Sequence, residues 1–158
     1  MLFAIIFAFM PVVASEVDVS VSAQIVVNKE SPTETDVIVI FINQTQSEVS
    51  LSLENDDADQ FEMLHITAET IDGIPIAETD MAKAFKARIV RDGSSRTQPI
   101  SPGEKYEMVL PLSQFFDLPA HRGYSVAGFA GDVIYVNGIL KPIQFKATKA
   151  RKIGDTQP

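Results

Sequence analysis

The sequence predicts an all-β fold, a sandwich of about eight or nine short antiparallel strands. Three observations carry this prediction. Apolar residues recur with a period of two through most of the chain. Clusters of Gly, Pro, Asn and Asp separate the alternating runs at short intervals. Almost no segment carries a sustained helical period.

The elements follow in order. Val17, Val19, Val21, Ala23, Ile25 and Val27 alternate with Asp18, Ser20, Ser22 and Gln24, the pattern of a half-buried strand. A loop over 29–34 contains Pro32. Residues 37–42 are continuously apolar and mostly β-branched, which predicts a strand covered on both faces with Ile40 in the core. A turn over 43–46 leads to a third strand, where Val49, Leu51 and Leu53 alternate with Ser50 and Ser52. An acidic loop comes next. Leu64, Ile66 and Ala68 then face one way, with His65, Thr67 and Glu69 on the polar side. Asp72-Gly73 signals a hairpin, and Ile74-Pro75-Ile76 begins the return.

Residues 81–91 (MAKAFKARIVR) fit both periods, and a strand is favoured because Gly93 and Ser94-Ser95 end the run. Ser101-Pro102-Gly103-Glu104 places Pro and Gly at the centre of a type II turn. Tyr106, Met108, Leu110 and Leu112 alternate after it. Ser113 is the expected cap of one helical turn over 114–118, stopped by Pro119. Residues 124–129, 133–136 and 139–147 read as three closing strands, with turns at Gly131-Asp132 and Asn137-Gly138.

The first fifteen residues carry no charge and end in Pro11, Val12, Val13, Ala14 and Ser15. This run is too short to cross a ~30 Å hydrocarbon core as a helix. Its small-residue exit suits cleavage after Ala14 or Ser15, so residues 1–15 are expected to be a secretory signal peptide. The Lys or Arg that ordinarily precedes such a run is missing, which leaves open a start upstream of Met1. Residues 16–148 form one domain and 149–158 a polar, basic tail.

The formal charge is −8, all of it outside the signal, and this argues against nucleic-acid binding, which needs a basic footprint. Glu54, Asp56, Asp57, Asp59 and Glu62 crowd one segment, while Lys141, Lys146, Lys149, Arg151 and Lys152 crowd the end. There is no cysteine, which removes thiol chemistry, cysteine zinc sites and a lipid acceptor together. With no disulfide to form, the periplasm or the medium is the expected compartment, with no stable membrane insertion after signal cleavage. Asn43-Gln44-Thr45 fits a glycosylation sequon, a match that arises readily by chance.

Three stretches carry a family likeness: Ile40-Phe41-Ile42-Asn43-Gln44-Thr45, Ile100-Ser101-Pro102-Gly103-Glu104, and 110–118 (LPLSQFFDL) followed by Gly123-Tyr124-Ser125-Val126. Their order resembles the Ig-like sandwich that precedes the catalytic domain in secreted deuterolysin-type (peptidyl-Lys) metalloendopeptidases. It is similar, less closely, to small sandwich inhibitors of bacterial intracellular serine proteases. The resemblance implies an Ig-like β-sandwich acting as an accessory domain. The helical His-Glu-x-x-His zinc site of those peptidases has no counterpart in this sequence, so no catalytic residue carries over.

No motif assembles a reactive centre. His65 and His121 lack ligand partners at helical or hairpin spacing. Asp56, Asp57 and Asp59 are weak calcium candidates, but the glycine and distal glutamate of a helix–loop–helix calcium site are missing, and a solvated acidic loop is favoured. No Gly-x-Ser-x-Gly elbow occurs. With no Trp, a sugar platform is left to Tyr106, Tyr124 and Tyr135. The basic end reads as a solvated edge whose lysines discourage strand pairing.

The sequence therefore predicts an exported, non-enzymatic binding domain without cofactor. Its expected partner is a protein, such as a protease or a cell-surface component, met through sandwich loops or an edge strand. The rival readings are a protease inhibitor and a small hydrolase. For the inhibitor, the expected binding loop lies between Asp92 and Pro102, with Asp92, Ser94, Ser95 and Arg96 at its front.

Overall fold

The computed structural model describes residues 19–28, 34–55, 57–87, 95–120, 122–136 and 139–149. They form eight strands in two antiparallel sheets. The strands are β1 (Val19–Val27), β2 (Thr35–Asn43), β3 (Val49–Glu54), β4 (Thr67–Thr70), β5 (Ser95–Ile100), β6 (Lys105–Leu110), β7 (Tyr124–Val136) and β8 (Ile139–Lys149). Three short helices, α1 (Asp57–Met63), α2 (Asp80–Lys86) and α3 (Leu112–Phe115), sit in the connections.

One sheet has the order β1-β2-β6. In the other, β5, β3, β7 and β8 lie side by side, and β4 pairs with the first half of β7 while β3 pairs with its second half. The chain changes sheet between β2 and β3, between β5 and β6 and again between β6 and β7. Three strands in the A-B-E order face five, with β4 added to a C′-C-F-G set, in an Ig-like sandwich.

The core lies between the sheets. Val37, Val39 and Phe41 of β2 and Met108 and Leu110 of β6 meet Leu51 and Leu53 of β3, Tyr124 and Val126 of β7, and Ile143 and Phe145 of β8. Each such side chain contributes about 1.5–3 kcal/mol by leaving water. The alternation read in β1 and β3 places their apolar rows inward. Gly103, at φ +78°, occupies the position of the 101–104 turn that needs a left-handed residue, and Glu104 N donates to Ser101 O at 3.0 Å. Gly73, also at φ +78°, does the same for the turn after β4.

Several expectations are corrected. β2 is covered on one face only: Val37, Val39 and Phe41 are buried, whereas Ile38, Ile40 and Ile42 are half-buried on the outer face of their sheet. Of the ambiguous segment 81–91, residues 81–86 belong to helix α2 and not to a strand, residues 88–91 lie outside the described residues, and most of the expected acidic loop is helix α1. Ser113 lies inside α3 instead of capping it, and its Oγ accepts from Thr35 N at 3.1 Å. Residues 124–129 and 133–136 belong to one continuous strand: at Gly131-Asp132 the chain shifts register against β8 between Ala130 and Ile134 and does not reverse. Lys149, read as the first tail residue, ends β8 opposite Tyr124. The expected signal segment, the 137–138 turn and residues 150–158 lie outside the described residues, as does Val17.

Asn43 closes one end of the sandwich. It is fully buried, and its Nδ2 donates to Ser47 O and Ile100 O while Oδ1 accepts from Thr45 N and Thr45 Oγ1. The amide of the sequon is thus spent inside the fold.

Candidate functional site

The connections at the opposite end build a cleft. α1 is favoured by Asp57 and Asp59 in its first turn, where carboxylates meet the positive end of the helix. It ends in a Schellman motif: Ile66 N donates to Phe61 O and His65 N to Glu62 O, with His65 in the left-handed region at φ +43°. The same geometry turns the chain into β4, with Leu64 and Ile66 buried beneath.

Thr79 starts α2. Its Oγ1 accepts from Ala82 N at 3.1 Å and donates to Gln114 O at 2.6 Å, while Thr79 N donates to Phe115 O at 3.0 Å. One residue therefore caps α2 and pins it to α3. Asp117 N to Ala77 O, at 2.9 Å, extends the contact. Lys86, in the last turn of α2, pairs with Glu78.

Between these elements lies a cleft of about 570 Å³, within the usual size range of ligand pockets. Phenylalanines from all three helices and the residue after α3 form its floor. Phe61 and Phe115 stack at 3.8 Å between centroids and 15° between planes; Phe85 lies 6.0 Å from Phe115, and Phe116 6.3 Å from Phe61. Met63 adds an adaptable thioether. Among the described residues the polar lining is Glu54, Asp59, Glu62 and Glu78 with Lys86 and His65, with Lys86 paired to Glu78. Gln60, buried beside the cleft, accepts from Glu54 N at 2.9 Å and so fixes the end of β3 to α1.

The residues singled out from sequence are distributed as follows. Asp59 lines the cleft, Asp57 is exposed in the same helical turn, and Asp56 lies outside the described residues. Among the described residues no group of three or more His, Asp or Glu is placed to hold a metal ion. His65 is on a helix-terminating turn at the cleft and not on the polar face of a strand; His121 lies outside the described residues. Ser95 and Arg96 open edge strand β5, and Arg96 Nη2 donates to Tyr106 Oη at 3.3 Å. Asp92 and Ser94 lie outside the described residues, but Lys86 before them and Ser95 after them, opposite Glu54, both sit at the cleft end. The inhibitor loop expected up to Pro102 is instead strand β5 from Ser95 to Ile100.

Sequence reasoning missed the cleft floor. The available signal was that Phe61, Phe115 and Phe116 fall outside the predicted strands, where core aromatics of a sandwich are not expected; Phe85 sat in the segment read as strand. No helix among the described residues is long and apolar enough to cross a membrane. Neither the protein-family models nor the curated proteins contain a match to this sequence.

Proposed function

We propose that this chain is an exported, non-enzymatic binding domain that engages a protein partner at the cleft end of its sandwich. The observation that carries the reading is the cleft itself, built by three inter-strand connections on a rigid two-sheet frame. Its lining of rings and carboxylates suits recognition. The uncharged first fifteen residues support export to the periplasm or medium. The accessory role implied by the deuterolysin-type resemblance agrees with this reading.

Affinity capture with the tagged mature domain from the secretome of its own host tests the proposal. The expected result is one reproducible protein, a protease or a cell-surface component, retained by the wild type. Retention of a glycan alone, or turnover of a secreted substrate by the purified domain, would overturn it. N-terminal sequencing of the native protein tests export separately, with the first fourteen or fifteen residues expected to be missing and an intact Met1 counting against it.

A further inference from the structure

We infer that two copies of this chain associate face to face through the outer surface of the β1-β2-β6 sheet. The two-fold axis crosses β2 perpendicular to the strands, between Ile38 and Ile40. The inference goes beyond the binding reading above and does not depend on it.

An outward row on a sandwich sheet is ordinarily polar, and β1 obeys with Ser20, Ser22 and Gln24. The central strand does not. Ile38, Ile40 and Ile42 follow one another on the outer face of β2, half-buried by their neighbours alone. Val109 of β6, opposite Ile38, extends the stripe and is 53% exposed. The strand is thus apolar on both faces, while the other sheet covers only one.

Charge selects a second copy as the occupant. The strand positions of this face carry Asp36, Glu107 and Lys105, two acids against one base, in a chain of formal charge −8. Two copies therefore meet here with little repulsion. Lys105 pairs with Glu107 of its own chain at 2.6 Å, but Asp36 lies six residues along from Ile42, the register partner of Lys105, about 20 Å away and out of its reach. Burial and the neighbouring Glu34 push the Asp36 carboxyl above its usual range. The two-fold axis sets Asp36 of the second copy over Ile42, beside Lys105, and sets Ile38 over Ile40. Both contacts occur twice. Each Lys105 then bridges its own Glu107 and the other copy's Asp36, a cation that no residue of the same sheet face supplies.

The area bounds the strength. With 9 residues in β2, the face measures about 15 Å by 30 Å, so a pair buries on the order of 1,000 Å² in total. That is the low end of specific interfaces, and the dimer is weak, with a Kd on the order of 100 μM.

Sedimentation equilibrium of the purified chain up to about 1 mM tests this. The expected mass rises from one copy towards two and no further. Val109→Glu, at an exposed site opposite Glu107 of the second copy, should weaken association by at least about tenfold with the fold unchanged. Lys105→Glu should weaken it similarly. Adding Asp36→Lys to Lys105→Glu should restore it to within about threefold of wild type. The two sites are too far apart within one chain to rescue each other there, so restoration reports a contact between copies. A wild type still monomeric at about 1 mM, leaving the face to solvent or to another protein, would overturn the inference. So would growth beyond two copies, a dimer indifferent to Val109→Glu, or failure of the charge exchange to restore it.

Discussion

The side-chain amide of Asn43 donates to the carbonyl of Ile100 at 2.8 Å, joining the last residue of the central strand of one sheet to the last residue of the edge strand of the other. The remaining capacity of that amide goes to Ser47 and Thr45. Backbone bonds from Gly103 to Asn43 and from Asn43 to Glu104 hold the 101–104 turn against it. Four groups depend on one side chain, and the bond to Ile100 O is fully buried. Asn43→Ala should therefore cost about 1–3 kcal/mol in urea unfolding, and Asn43→Asp should also destabilise, because a carboxylate cannot donate to Ile100 O. Mass spectrometry of the native folded protein should find no glycan on Asn43.

The two faces of β2 differ in what they tolerate. Phe41→Ala empties a fully buried site and should cost about 3–5 kcal/mol. Ile40→Ala, on the outer half-buried face, should cost about 1 kcal/mol. Denaturant melts that ranked the two equally would contradict the one-sided burial.

His65 holds a conformation that suits glycine. Its φ of +43° strains any residue with a Cβ, and a β-branched one most. His65→Gly should leave thermal stability unchanged or raise it by up to about 1 kcal/mol, and His65→Val should lower it by about 1–2 kcal/mol.

Phe145 lies across the backbone of Gly128, its strand partner on β7, so closely that a Cβ there would sit 2.3 Å from the ring. Gly128→Ala should destabilise by about 1–3 kcal/mol, and Phe145→Leu should recover part of the loss in the double variant.

Glu69 sets part of the acid limb of stability. Hydrogen bonds from Lys146 and Ser125, with the charge of Lys146, hold its carboxyl below the usual 4.5. A lowered folded value means stability present above pH 4.5 and lost as pH falls through the folded value. Wild type should exceed Glu69→Gln at pH 7, and the two should converge as the pH falls below the folded value. Asp36 has the opposite sign: burial, then the neighbouring Glu34, raise its carboxyl, so its contribution falls away as pH rises through the folded value.

The frame of this protein was legible because a half-buried strand imposes alternation, which β3 shows throughout and β1 shows from Val21 to Ile25. The type II turn at 101–104 was legible because Pro and Gly leave the backbone few alternatives. α1 and α2 were not: each has seven residues, too few to establish a helical period, and both depend on packing against Phe115 and its neighbours. For α2 the overlooked cue was Thr79 ahead of Asp80, an N-cap followed by an acidic first turn. The run at Gly131-Asp132 carries turn chemistry, yet pairing with β8 on both sides of the register shift overrides it. The cleft floor was invisible because its rings come from positions as far apart as Phe61 and Phe116, and only the folded chain brings them together.

Tyr124 carries a buried hydroxyl with no hydrogen-bond partner among the described residues. Burial pushes its phenol above the usual value, and the Thr35 hydroxyl pulls the other way without forming a bond of good geometry. Folding stability should therefore decline once the pH passes the usual value of 10.0, and Tyr124→Phe should remove that decline at little cost near neutrality.

Under the binding function proposed above, Thr79 has a consequence for the kinetics and heat of association. Because its backbone and hydroxyl fasten α2 to α3, the rings of Phe85 and Phe115 are already in register before anything enters the cleft. An incoming segment has little loop ordering left to impose, so the opposing conformational entropy comes from the visitor and not from the host. Complex formation should then proceed in a single concentration-dependent phase, without a slow rearrangement following encounter. Loosening Thr79 would convert a shaped receptor into one that must reassemble at each visit.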